Sequence, residues 1–232
     1  MTEYEKKVKI ELYNDHFQNF RRYGIPKAQL VIADIPYNIG ENAYGSSPEW
    51  YVDGDNKNGE SKKAKSTFFD TDKNFNINEF FHFCSHMLKK EPKERGQAPA
   101  MIVFCAFQQI PMVIDVGEKH GFKNHYPLVF IKNTSPQVLK SNMKILGACE
   151  YAIVMYRDKL PKFNNNGKMV LNWFEWKKGD EPKCHPTQKP VPTLKRLIEI
   201  FTDPYDVVID PVAGGGFYFK SVYGNEQELL WV

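Results

Sequence analysis

The sequence predicts an α/β fold whose sheet is mostly parallel and covered on both faces, and two patterns carry that prediction. Six short apolar runs rich in β-branched residues recur along the chain, nearly continuous rather than alternating, as strands buried on both faces require. Between several of them lie segments whose apolar positions recur at three and four, the period of an amphipathic helix. With 232 residues, 42% of them hydrophobic and 14% aromatic, the chain can bury one sizeable core, so a single domain over 1–232 is expected.

In order, VKIELYN from Val8 is the first strand and QLVIADIP from Gln29 the second, with a proline at its end. INEFFHFCSHMLKK from Ile77 has helical spacing, AMIVFCAF from Ala100 is a strand, and QIPMVIDVGEKHG from Gln109 is again helical. YPLVFIKN from Tyr126 and YAIVMYRD from Tyr151 are strands joined without an obvious helix, which predicts an antiparallel hairpin at one edge. TLKRLIEIF from Thr193 is a helix leading into the strand DVVIDPVA from Asp206. The stretches 38–72, 132–148 and 157–185 are polar, and loops of that length inside a compact domain are usually functional or disordered.

Composition narrows the function only slightly. A formal charge of +3 and a pI near 8.5 are compatible with a nucleic-acid partner but fall short of a strongly basic footprint. Cys84, Cys105, Cys149 and Cys184 are far apart and form no CxxC pair, so reduced thiols and no metal site are expected. The first residues contain no apolar leader, and no run approaches the roughly 18 apolar residues of a membrane span. A cytoplasmic location, bacterial or phage-encoded within a bacterium, is the expectation.

In an open α/β sheet, ligands bind at the carboxyl ends of the strands. Asp34-Ile35-Pro36-Tyr37 closes the second run. An acid and a backbone carbonyl there can accept both hydrogens of an exocyclic amine while an aromatic ring stacks on the base that carries it. Asp210-Pro211-Val212-Ala213-Gly214-Gly215-Gly216 closes the last run, and its glycines let a ligand approach the backbone closely. Asp15 follows the first run and can accept a hydrogen bond from an adenine amine, although acids are also ordinary turn residues. Asp with Pro at a strand end is likewise a common turn. What outweighs the turn reading is the combination, in fixed order, with His185-Pro186-Thr187-Gln188-Lys189-Pro190.

With these three segments the chain resembles the DNA N6-adenine and N4-cytosine amino-methyltransferases, in the arrangement where the catalytic tetrapeptide precedes the glycine loop. Asp34 to Tyr37 is similar to the family's D-P-P-Y, Asp210 to Gly216 to its D-P-F-x-G-x-G, and His185 to Pro190 to its H-P-T-Q-K-P. The resemblance implies a Rossmann-like fold dependent on S-adenosylmethionine, double-stranded DNA as partner, and a homodimer as a further option. It implies catalytic roles for Asp34, Ile35, Pro36 and Tyr37. It assigns the cofactor to Asp15, His16, His185, Thr187, Lys189, Asp210, Pro211, Ala213, Gly214 and Gly216, and a place in restriction-modification to the whole. The loop 38–72 would be mobile and close over DNA, while 132–148 and 157–185 would recognise the target, with Arg157 and Asn164 to Asn166 among the candidates.

The acid in the tetrapeptide favours adenine N6 over cytosine N4. Ile35 replaces the family's first proline, keeping the carbonyl but loosening the backbone. Leu229 to Val232 matches the start of a strand that the family ends with a ribose-binding acid, and no acid follows here. That departure motivates a second expectation, a catalytically silent relative that still binds DNA.

Overall fold

The computed structural model describes residues 10–37, 75–132, 138–140, 145–176, 189–213 and 228–231. In chain order the strands are β1 (Ile10–Leu12), β2 (Leu30–Asp34), β3 (Ala100–Cys105), β4 (Asn124–Ile131), β5 (Val138–Lys140), β6 (Ile145–Leu146), β7 (Cys149–Tyr156), β8 (Trp173–Glu175), β9 (Val207–Asp210) and β10 (Glu228–Trp231). The helices are α1 (Ile77–Met87), α2 (Ile110–Lys119) and α3 (Val191–Phe201).

Eight strands form one sheet in the order β1-β10-β9-β2-β3-β7-β4-β8, and β5 pairs with β6 separately. Within the large sheet only β7 runs against its neighbours, antiparallel to β3 and to β4. The antiparallel β4–β7 pair is the expected one, and its position is more interior than an edge. β8 pairs parallel to β4 outside it, from within a stretch whose polarity reads as loop. The stacking of Phe174 on Phe130, with centroids 5.5 Å apart, supplies the apolar contact that holds this short strand.

The continuous apolar runs are explained by two cores, one on each face. Successive side chains of a strand point to opposite sides. Val31 and Ala33 of β2, with Met101 and Val103 of β3, therefore pack under α1 and α2. Leu30, Ile32, Ala100 and Ile102 pack under α3. β2 and β3 are buried along their lengths apart from Asp34, so both their faces must be apolar.

Helix ends follow local chemistry. Asn76 caps α1, its side chain accepting from the backbone N–H of Asn78 at 3.0 Å and of Glu79 at 3.3 Å. Pro111 lies in the first turn of α2, where its missing N–H costs nothing. Beyond α2, Gly121 takes φ +91°, the left-handed conformation that a residue with a side chain adopts only with strain.

β10 lies between β9 and β1, with Leu229 opposite both Val208 and Ile10, as expected for the strand after the glycine loop. Because β7 runs backwards, residues 157–166 emerge at the amino edge of the sheet. There Lys162 N–H donates to Ala98 O at 3.0 Å, and the Lys162 ammonium pairs with Asp203 and, at 3.0 Å, with Asp206. Asn164 donates to Thr202 O and to Asp203 at 2.8 Å each, and Arg157 donates to Ser85 O at 2.7 Å and Lys89 O at 3.0 Å. This half of the expected recognition segment is a strut between α3 and β9, far from the strands' carboxyl ends. Among the described residues no helix is long and apolar enough to cross a membrane.

Gly117 marks the tightest packing of α2 on the sheet, since a Cβ there would meet the Met155 methyl at 2.2 Å and Phe81 at 3.1 Å. Gly117→Val is expected to destabilise the chain by about 1–3 kcal/mol through overpacking, read as a lowered urea midpoint at unchanged slope.

Candidate active site

The register of the sheet gathers acids from distant segments at one edge. Asp34 ends β2 and pairs with Phe104 of β3, which pairs in turn with Ala152 of β7. Two residues earlier on β7, whose start lies at the same edge, stands Glu150. Asp210 ends β9, the neighbour of β2 on its other side. The carboxyl ends of the parallel strands and the amino end of β7 therefore converge.

Into this edge the segment before α3 inserts Lys189, which is buried. Its Nζ lies 2.9 Å from Asp34 Oδ2, 3.0 Å from Glu150 Oε2 and 3.1 Å from the Tyr37 hydroxyl. The Glu150 contact is an ion pair by distance, with Oε2 making no aligned hydrogen bond among the described residues, so the ammonium is shared between the two acids and the Tyr37 hydroxyl. The same ammonium stands 5.1 Å from the Tyr37 ring centroid and 5.3 Å from that of Phe104, positions favourable for a cation over an aromatic face. Lys132 pairs with the other oxygen of Glu150 and lies 5.1 Å from the Trp176 ring centroid.

Burial sets the charges, and the neighbours adjust them. Burial pushes the Asp34 carboxyl above its ordinary value, and the Lys189 cation offsets this only in part. Burial opposes the charge on Glu150 too, but Lys189 and Lys132 together outweigh it and hold that carboxyl below the usual range. The Tyr37 phenol is driven well up, first by burial and then by the Asp34 and Glu150 charges, so it stays neutral. Burial also lifts the Cys105 thiol to about 12, which leaves it inert.

The turn after β2 is fixed by Gln109, whose Nε2 donates to Pro36 O at 2.8 Å while its Oε1 accepts from Ala106 N–H at 2.9 Å. Asp34 Oδ1 is buried and has no hydrogen-bond partner among the described residues. Asp210 Oδ2 is in the same condition, while its Oδ1 accepts from Val212 N–H at 2.9 Å. Burial drives the Asp210 carboxyl well up.

Of the residues assigned to the cofactor by resemblance, Asp15, His16, Lys189, Asp210, Pro211 and Ala213 are described, and His185, Thr187, Gly214 and Gly216 lie outside the described residues. So does the loop 38–72. Asp15 follows β1 at the same edge and clamps the 3-10 turn Phe17–Arg22. It accepts from His16 N–H at 2.8 Å, Asn19 at 2.7 Å and Tyr23 at 2.7 Å. Those bonds, led by Asn19, lower its pKa to about 2. His16 is exposed. Lys189, read from resemblance as a cofactor contact, touches Asp34 and Tyr37 of the tetrapeptide.

Glu150 and Gln109 are the members that sequence reasoning missed, while Lys132 opens the stretch 132–148 read as target recognition and here pairs with Glu150. The one legible signal was Glu150, an acid at the head of an apolar run.

The sequence profile of a family described as DNA methylase matches residues 28–220. The DNA adenine methyltransferase YhdJ of Escherichia coli (strain K12) is 25% identical over 235 residues, covering 92% of this chain and 74% of that protein. The crystal structure of M1.HpyAVI superimposes with a TM-score of 0.64 at 19% identity over 96% of this chain and 90% of that one. Its SAM complex gives 0.63 at 18% identity, over 96% and 91%. The cytosine-N4-specific PvuII DNA methyltransferase gives 0.62 at 12% identity, covering 99% and 85%.

Gln109→Leu would leave the Ala106 N–H and the Pro36 carbonyl without their partner. It is expected to cost about 1–3 kcal/mol of stability, measured by chemical denaturation.

Proposed function

The chain belongs to the N6/N4 DNA methylase family, and from that premise we propose that it transfers a methyl group from S-adenosylmethionine to the N6 amine of adenine in double-stranded DNA. The observation that carries the reading is the buried Asp34 Oδ1, without an aligned hydrogen-bond partner among the described residues, in a carboxyl that lies close to Tyr37 at the carboxyl edge of the sheet. A buried acceptor without a donor costs about 1–3 kcal/mol, which a ligand that supplies a donor recovers. The two hydrogens of an exocyclic amine are donors of that kind.

An amine inside duplex DNA is not reachable, so the adenine must leave the stack, which costs a few kcal/mol. Stacking on the Tyr37 ring offsets that cost. Asp34 and the Ile35 carbonyl then accept the two amine hydrogens and aim the nitrogen lone pair. Catalysis is by positioning, with no covalent bond to the protein. Asp34 is also placed to take the proton that the nitrogen sheds once methylated.

Asp210 fits a ligand rich in hydrogen-bond donors, since its Oδ2 is buried and unpartnered at the end of β9. S-adenosylmethionine, bound there, supplies an electrophilic methyl group. Asp15, His16, Pro211 and Ala213 border the same edge, and the resemblance adds His185, Thr187, Gly214 and Gly216. Adenine is favoured over cytosine by the acid at position 34 and by the similarity to YhdJ, a DNA adenine methyltransferase, whereas the sheet is common to relatives of either specificity.

The test is mass spectrometry of nucleosides from unmethylated DNA incubated with the chain and S-adenosylmethionine. N6-methyladenine is the expected product, and N4-methylcytosine alone would reverse the specificity. Asp34→Ala is expected to lower the rate on the order of 10²–10³-fold, the scale of losing one preorganised transition-state partner. Because only the ionised carboxylate accepts both ways, and burial raises the Asp34 pKa, the acid limb of the pH–kcat profile is expected above the ordinary carboxylate value of 3.8.

A further inference from the structure

We infer that Glu150 is a positioning residue for Asp34: by sharing the Lys189 ammonium it lets the incoming amine take that cation's place at the Asp34 carboxylate. The inference rests on the amine-methylation reading of the site. Its geometry stands independently.

The Lys189 ammonium occupies the ground that a target amine needs. It is a nitrogen donor 2.9 Å from Asp34 Oδ2, beside the Tyr37 hydroxyl at 3.1 Å and over the Tyr37 ring. A base stacked on the Tyr37 ring, giving one amine hydrogen to Asp34 and the other to the Ile35 carbonyl, meets this cation over the same ring, so the cation has to yield. A buried ammonium cannot simply lose its counter-charge, because an unpaired charge in a low-dielectric place is strongly unfavourable. Glu150 Oε2, 3.0 Å away and not yet aligned as a hydrogen-bond acceptor, is a second anion within a small movement. The lysine can align on Glu150 as it leaves Asp34, and the local charge is conserved throughout.

The surroundings fit that exchange. Lys132 pairs with the other Glu150 oxygen, so Glu150 keeps one counter-ion whichever acid Lys189 serves. Trp176 stands under both cations, 5.1 Å from Lys132 and 5.8 Å from Lys189. The charged and titratable groups facing Asp34 are Lys189, Glu150, Tyr37, Cys105 and Asp210. Of these, Lys189 lowers the Asp34 pKa and Glu150 raises it. Removing the Glu150 charge therefore has a signed consequence: Lys189 falls wholly to Asp34, which becomes easier to ionise and harder to uncap.

The experiment compares the intact chain with Glu150→Gln, Glu150→Asp and the double variant Glu150→Gln/Lys189→Met. The first readout is the Asp34 carboxyl titration, followed by ¹³C NMR in the free protein. The second is kcat against pH for methyl transfer to DNA, with S-adenosylmethionine affinity measured alongside. Glu150→Gln is expected to lower the Asp34 titration midpoint and the acid limb together, and to reduce kcat by about 10- to 100-fold, one removed charge-assisted contact. Cofactor affinity is expected to stay within about threefold, because the pair serves Asp34 rather than the cofactor. Glu150→Asp should recover part of the rate, and the double variant should exceed Glu150→Gln at high pH, where Asp34 is ionised without help. An unmoved or raised Asp34 midpoint in Glu150→Gln overturns the inference whether or not the chain is active. So does an unchanged kcat. If the intact chain methylates no adenine while the Asp34 midpoint still falls in Glu150→Gln, the functional reading has failed and the charge-sharing geometry has not.

Discussion

A buried lysine held between carboxylates from opposite-running strands is the constraint on which the site depends. Lys189 has Asp34 at 2.9 Å and Glu150 at 3.0 Å, and its cation favours the charged form of both acids against the cost of burial. The requirement explains why β7 runs against its neighbours to useful effect. A parallel strand in that place would have put the start of the run, and Glu150 with it, at the opposite edge. Reversal delivers Glu150 to the same end of the sheet as Asp34 and Asp210.

The two cores exist to hold that edge flat and closed. α1 and α2 seal one face and α3 the other, so β2 and β3 carry apolar residues at every position until Asp34 breaks the pattern. Gln109 then ties the tetrapeptide to the start of α2 through both its amide atoms. The backbone of Pro36 is thus fixed by a side chain that packing has already immobilised, which is the condition for catalysis by positioning.

Much of this was legible in the sequence, for identifiable reasons. The six short apolar runs became β1, β2, β3, β4, β7 and β9, and burial on both faces leaves its unbroken signature most clearly in β2, β3 and β9. The helices at Ile77, Ile110 and Val191 followed from spacing. β8 was invisible, since three residues in a polar stretch have no period, and only the tertiary stacking of Phe174 on Phe130 makes a strand of them. Glu150 was missed because its role comes from register: nothing along the chain says that it will stand beside Asp34, 116 positions away. The same holds for Arg157 and Asn164. As residue types they suit DNA, but the direction of β7 carries them to the amino edge, where they bond Ser85, Thr202 and Asp203. Resemblance gave Lys189 its segment but not its contacts with Asp34, Glu150 and Tyr37, because a motif conveys neighbourhood and not contact.

Methyl transfer at Asp34 requires the carboxyl edge of the sheet to accommodate S-adenosylmethionine beside it. Calorimetric titration of S-adenosylmethionine into the intact chain tests it most directly. Binding with micromolar affinity is the predicted result; no heat of binding up to millimolar cofactor would contradict the account and leave a DNA-binding relative without autonomous catalysis as the better description.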